Sequence, residues 1–189
     1  MLEFSTMNPV PKQRMTVDEY LAWADGRPGR YELYAGVVYA MSPERAGHAA
    51  VKYAVQTALL SGIRRAGLTC YMLPDGMTVR VDQDTAHEPD ALVYCGEKLP
   101  NEAIEAPSPV IVVEVLSPST RHIDASAKLA GYFRVASVRH YLIVDPDKRL
   151  IVHHARGEGD VIMTRIVRDG TLRLDPPGIE LAAAEIFQA

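Results

Sequence analysis

The chain has 189 residues, 48% of them hydrophobic and 23% charged, with a formal net charge of -4. That length suffices for one domain with a full core, and the composition is that of a soluble globular protein rather than a disordered one. The acidic balance argues against a general, charge-driven nucleic-acid binder, and no apolar run approaches the ~20 residues of a membrane span.

Residues 1–14 carry no apolar signal-peptide core and read as a flexible lead-in, which leaves 15–189 as a single domain in a cytoplasmic protein. Cys70 and Cys95 lack CxxC spacing, so two buried thiols are expected. Thr16-Val17-Asp18-Glu19 fits a capping box and opens a short helix that ends near Ala24. Tyr31–Tyr34 and Val37–Ala40 flank Ala35-Gly36 as a hairpin. Ser42-Pro43-Glu44 opens a second helix, with Pro43 at the first helical position and an end near Ile63 or Arg65. Val51, Ala54, Val55, Ala58 and Leu59 form its apolar stripe. His48, Lys52 and Gln56, spaced i, i+4 and i+8, share another face, which is either a solvated face or one side of a functional site.

Leu68–Leu73 and Met77–Val81 around Pro74-Asp75-Gly76 read as another hairpin. A short strand follows over His87–Tyr94, entered through Pro89. Residues 110–116 are almost all β-branched or apolar, as in a fully buried strand, yet Glu114 interrupts them. Burying an unpartnered carboxylate is costly. Glu114 is therefore at an exposed strand end, paired with a lysine, or a ligand held on a rigid strand. Ile123–Val135 is the next helix, packed through Leu129, Tyr132 and Phe133, with Asp124 and Lys128 spaced to pair. Tyr141–Val144 is a buried strand, Leu150–His153 and Val161–Val167 are two antiparallel strands, and Leu181–Phe187 is a terminal helix.

The order that carries chemistry is Pro89-Asp90 on one strand, Glu114 on a second, then Lys128 on a helix. Two carboxylates on adjacent strands can converge on one divalent cation. Mg²⁺ usually takes one or two carboxylates plus waters and substrate phosphate. A nearby ammonium can orient the attacking water and stabilise charge on phosphate. Asp90 as a turn cap and Lys128 as a mere partner of Asp124 are the bland alternatives.

These residues resemble the Uma2-type (DUF820) proteins among the PD-(D/E)XK nuclease-like folds. The resemblance runs from about Met15 to Phe187. It rests on Met15–Leu21, Arg30–Leu33, Gly36–Val38, His48, Glu88-Pro89-Asp90, Val112–Thr120, Asp124, Lys128, Tyr132 and Leu142–Pro146. It implies an α/β (α+β) fold: a mixed central β-sheet flanked by helices, with a restriction-endonuclease-like core. Asp90 matches the Asp of the Pro-Asp motif and Glu114 the acid of the (D/E)XK motif, together holding Mg²⁺ or Mn²⁺. The lysine position of that motif is Leu116 here, so Lys128 is the substitute, and Glu32 matches a further acid.

His48, Lys52, Gln56, Arg121, Asp124 and Tyr132 are then auxiliary or substrate-binding candidates. A tryptophan common before the Ile-Val-Asp-Pro segment is replaced by Tyr141-Leu142. The implied activity is a Mg²⁺-dependent endodeoxyribonuclease with DNA as partner, homodimer formation allowed and no membrane partner. A face with Arg121, Lys128, Arg134 and Arg139 would supply phosphate contacts. The alternative is a catalytically inactive nuclease-like module that binds nucleic acid or another protein.

Overall fold

The computed structural model describes residues 13–117 and 125–187. The predicted capping box is present: Glu19 N–H donates to Thr16 Oγ1 at 3.3 Å and Thr16 N–H to Glu19 Oε2 at 2.8 Å, opening α1 (Val17–Ala24). Tyr20 donates its hydroxyl to Tyr31 O at 2.6 Å, fixing α1 on β1 (Tyr31–Tyr34). β1 and β2 (Val37–Ala40) form the expected hairpin. Its two-residue turn has positive φ at both Ala35 (48°) and Gly36 (78°), the backbone that suits the right-handed strand twist. The alanine is held there by its neighbours: Ala35 N–H donates to Thr85 Oγ1 and Gly36 N–H to Asp84 O.

The second helix, α2, spans Ala46–Ala66 and so begins beyond Pro43. Glu44 is used as an ion-pair partner instead of in a first helical turn. The helix ends at Gly67, whose φ of 64° is the left-handed stop that glycine adopts without cost.

The expected hairpin around Pro74-Asp75-Gly76 does not form. β3 (Cys70–Pro74) pairs with β6 (Ala91–Cys95) in a six-stranded sheet of order β10 (Ile162–Val167), β9 (Leu150–Arg156), β8 (His140–Asp145), β7 (Pro109–Val115), β6, β3. The turn instead carries the chain to β4 (Val79–Arg80) and β5 (Ala86–His87), which belong to a four-stranded sheet of order β2-β1-β5-β4. Turn residues specify a reversal, not the strand that the chain then pairs with. The single strand expected over 87–94 is accordingly two, broken at Glu88-Pro89-Asp90. The β3–β6 register sets Cys70 opposite Cys95, and the two are joined as a disulfide, not held as buried thiols.

β7 (Pro109–Val115) lies between β6 and β8 (His140–Asp145); it is antiparallel to β6 and parallel to β8, so the sheet is mixed as expected. The crossover contains α3 (Ala125–Arg134), whose Tyr132 and Phe133 cover one face with Val112, Tyr141 and Ile143. The other face is covered by α2 together with β12 (Ile179–Ala182) and α4 (Ala183–Phe187), around Leu59, Val113, Leu142 and Ile186. β9 (Leu150–Arg156) and β10 (Ile162–Val167) finish the sheet, antiparallel as expected. A hairpin of β11 (Thr171–Leu174) with β12 precedes the terminal helix, which is shorter than the sequence suggests. No helix of the described residues is long and apolar enough to cross a membrane.

Gly62 marks where α2 lies closest to β12: a Cβ there would sit 3.1 Å from Glu180 O and 3.5 Å from Ile179 Cβ. Gly62→Ala gains about 1 kcal/mol of helix propensity. Crowding a backbone carbonyl in a packed interface costs about 1–3 kcal/mol. A net loss of about 1 kcal/mol is expected, read as a lower urea midpoint at unchanged slope.

Candidate active site

Alternation along β7 turns Glu114 to the α3 side, in line with Val112 and Leu116. The register Ala91↔Val113 puts Asp90 opposite Glu114, and Asp90 N–H closes the ladder on Val113 O at 2.9 Å. Asp90 Oδ2 accepts from Val115 N–H at 2.7 Å, so the carboxylate is fixed by the backbone of the neighbouring strand.

Glu114 Oε1 accepts from Lys128 Nζ at 2.8 Å and from Tyr132 OH at 2.6 Å. Lys128 and Tyr132 are one helical turn apart on α3 and therefore reach the same carboxylate. Lys128 Nζ also donates to Glu32 Oε1 at 2.9 Å, and Glu88 N–H donates to the same oxygen at 3.0 Å. Glu32, Glu114 and Lys128 thus meet from β1, β7 and α3, and Asp90, in the lead-in to β6, lies near enough for its charge to raise the pKa of Glu114.

The His48, Lys52, Gln56 face of α2 closes the other side; it is not a solvated face. Lys52 is only 4% exposed and lies 3.2 Å from Asp90 Oδ1 and 2.6 Å from Asp75 Oδ2, with Glu44 as a third partner. Gln56 Nε2 donates to Asp90 O at 2.9 Å. His48 Nε2 donates to Val115 O at 2.8 Å, which places its proton on that nitrogen. Arg30 pairs with Asp75 and, at 3.3 Å, with Glu88.

Sequence reasoning gave no site role to Arg30, Glu44, Asp75 or Glu88. Asp75 looks like an ordinary turn residue, and only the turn's placement beside α2 gives it Lys52. His87 was also missed. It is buried against Tyr132, and neither ring nitrogen has a hydrogen-bond partner among the described residues. Burial holds its pKa down at about 4, so the ring is neutral.

Among the described residues, the expected basic face does not assemble. Lys128 is spent on two carboxylates, Arg134 pairs with Asp82 at 2.7 Å, and Arg139 lies past the end of α3 in the link to β8. Arg121 and Asp124 lie outside the described residues.

Among the described residues, six carboxylates (Glu32, Glu44, Asp75, Glu88, Asp90, Glu114) are set against three cations (Arg30, Lys52, Lys128). The acids that share Lys128 respond in opposite directions. For Glu114, burial raises the pKa, and the charges of Glu32 and Asp90 add to this against the pull of Lys128, taking it to about 7. Glu32 is also desolvated, but Lys128 and the Glu88 N–H outweigh burial and lower it. One ammonium compensates one carboxylate fully, and the second carboxylate feels the first as a like charge. For Lys128, burial would lower the pKa, but Glu114 and Glu32 raise it, so it stays charged.

Glu114 therefore contributes stability that is complete below pH 4.5 and is lost as pH rises through about 7. Glu32 does the reverse: its contribution is present above pH 4.5 and is lost as pH falls below it. Between pH 5 and 8, Glu114→Gln should lose less stability than the wild type, by on the order of 1–3 kcal/mol in paired urea titrations.

Among the described residues, no group of three or more His, Cys, Asp or Glu side chains is arranged to hold a metal ion. A hard divalent cation needs less: one or two carboxylates completed by water and substrate oxygens. Asp90 and Glu114, opposed across a ladder in an acid-rich cleft, fit Mg²⁺ or Mn²⁺ by donor type and charge.

The chain matches over residues 17–184 the family model described as "Uma2: Putative restriction endonuclease". It is 24% identical to the protein slr1290 of Synechocystis sp. (strain ATCC 27184 / PCC 6803 / Kazusa), over 100% of this chain and 98% of that one. A solved structure from Anabaena variabilis ATCC 29413, titled "a putative nuclease belonging to DUF820", superposes with a TM-score of 0.73 at 16% identity. The superposition covers 92% of this chain and 98% of that one, and at that identity it speaks for the fold.

Proposed function

This chain belongs to the Uma2 family, and from that premise we propose that it is a metal-dependent endonuclease that hydrolyses DNA phosphodiester bonds. The observation that carries the reading is that Glu114 and Glu32, from separate strands, share Lys128, with the Asp90 carboxylate fixed on the Val115 N–H beside Glu114. A Mg²⁺ or Mn²⁺ ion held by Asp90 and Glu114 would supply Lewis acidity and lower the pKa of bound water.

The side chains do the rest. Val115 N–H and Lys52 fix the two oxygens of Asp90, and Tyr132 fixes Glu114, so both carboxylates are preorganised on rigid strands. His48 pins the last carbonyl of β7. Lys128 can turn one of its three donors from the acids to a phosphate oxygen, where it stabilises the charge that develops during cleavage.

The test is nicking of plasmid and single-stranded DNA by purified protein at low ionic strength, with Mg²⁺ or Mn²⁺, against Glu114→Ala. Low salt is chosen because an acidic chain gains little from counterion release. Activity in the wild type that chelator and the substitution both abolish supports the proposal. Equal nicking by both proteins marks a contaminant. No nicking by either, under any metal, favours a nuclease-like module that binds without cutting. The observation on that side is that Arg30, Lys52 and Lys128 are committed to ion pairs within the cleft, and Arg134 to a surface pair with Asp82.

A further inference from the structure

Among the described residues, the six-stranded sheet ends on an unprotected edge. β10 has β9 as its hydrogen-bonded neighbour on one side, and no described residue pairs with its other side. Strand edges are ordinarily blunted by proline, bulges, several charges or a covering element. The six residues Ile162–Val167 contain no proline, one charge (Arg165) and no break in their register with β9. Val161, Ile162, Met163 and Ile166 are 58%, 37%, 50% and 65% exposed, and they make up four of the seven large exposed hydrophobics among the described residues. Scattered exposed apolar side chains need no explanation, but four within six consecutive residues on an open edge form a patch.

We infer that β10 is a homodimer interface, pairing antiparallel with β10 of a second copy so that the two central sheets become one. The occupant follows from the charges that bracket the strand. A two-fold antiparallel pairing of identical strands sets residue i against a partner whose number sums with it to a constant. That constant must be even, because outward-pointing backbone groups alternate. Centring on Thr164 sets Val161 against Val167 and Ile162 against Ile166, and brings Asp160, in the turn before β10, beside Arg168, in the bend after it, at both ends of the ladder. Opposite charges and β-branched pairs directly across a ladder are its stabilising contacts.

Shifting the centre to Arg165 places two guanidiniums face to face. Shifting it to Met163 strands Asp160 against Ile166. Asp160 and Arg168 are both exposed, and among the described residues Arg168 makes a single long bond, 3.3 Å to Lys148 O. The two-fold axis runs normal to the sheet, so both copies present their α3 faces on the same side. The pairing does not depend on the nuclease reading.

An interface of two strands is at the small end of specific contacts, so a dissociation constant of about 1–100 μM is expected. The experiment is sedimentation equilibrium of the full chain across that range, with circular dichroism as a check on folding. Wild type should dimerise and Ile166→Lys should be monomeric with an unchanged spectrum. Asp160→Arg and Arg168→Asp should each be monomeric alone yet associate when mixed, because the mixture restores opposite charges at both ends. A wild type that stays monomeric at 100 μM or more, or a dimer that survives Ile166→Lys, overturns the interface. Charge variants that dimerise as the wild type does overturn the register.

Discussion

Asp90→Asn and Glu114→Gln are each expected to weaken Mn²⁺ binding by about 100-fold or more and to cut nuclease activity by about 10³-fold. The first figure reflects loss of an anionic oxygen ligand, where even the groups that merely orient a ligand are worth about 10–100-fold. The second corresponds to several kcal/mol of Lewis-acid stabilisation. Both substitutions keep the shape and an accepting oxygen, so Val115 N–H can still bond to position 90 and Tyr132 OH to position 114. Lys52 retains Asp75 and Glu44 when Asp90 loses its charge. A loss of metal binding at near-wild-type melting temperature would therefore be a loss of ligand, not of fold. Because burial raises the pKa of Glu114 to about 7, wild-type affinity should be greater at pH 8 than at pH 6, and binding at pH 6 should release a proton. Wild-type affinity in both variants would remove the metal from these two residues.

The strand carrying Glu114 was legible because a charge inside a β-branched run has few benign explanations, and Pro89-Asp90 was legible because proline marks the strand's entry. The hairpin of β1 and β2 and the capping box were equally plain, since each is set by adjacent residues. The second helix was legible, although it starts at Ala46 and not at Pro43, and its polar face was ambiguous. Spacing shows that His48, Lys52 and Gln56 share a side; it does not show that Asp90 and Val115 lie opposite. The Pro74-Asp75-Gly76 turn misled for a related reason. Its partner strand lies beyond β4 and β5, and the disulfide between Cys70 and Cys95 follows from that same long-range register. The basic face failed because helical spacing counts charges but not the acids that meet them.

Lys128→Met is expected to be the most destabilising substitution in the cleft and also to cost activity. It leaves Glu32 and Glu114 without their shared ammonium, and breaking a buried pair by removing one partner typically costs about 3–5 kcal/mol. Part of that cost is avoidable, because Glu114 can take up a proton. Destabilisation should then be smaller at pH 6 than at pH 8, and Glu114→Gln combined with Lys128→Met should recover a share of the stability at pH 8. Activity should not recover. A donor aimed at developing phosphate charge is worth about 10²–10³-fold, and neither the single nor the double variant supplies one. The same ammonium thus serves the fold at rest and the reaction in use, and the double variant separates the two. Folded Lys128→Met with wild-type turnover would reduce Lys128 to a structural ion-pair partner. Stability restored without activity, with partial activity in Lys128→Arg, would place its charge in the reaction.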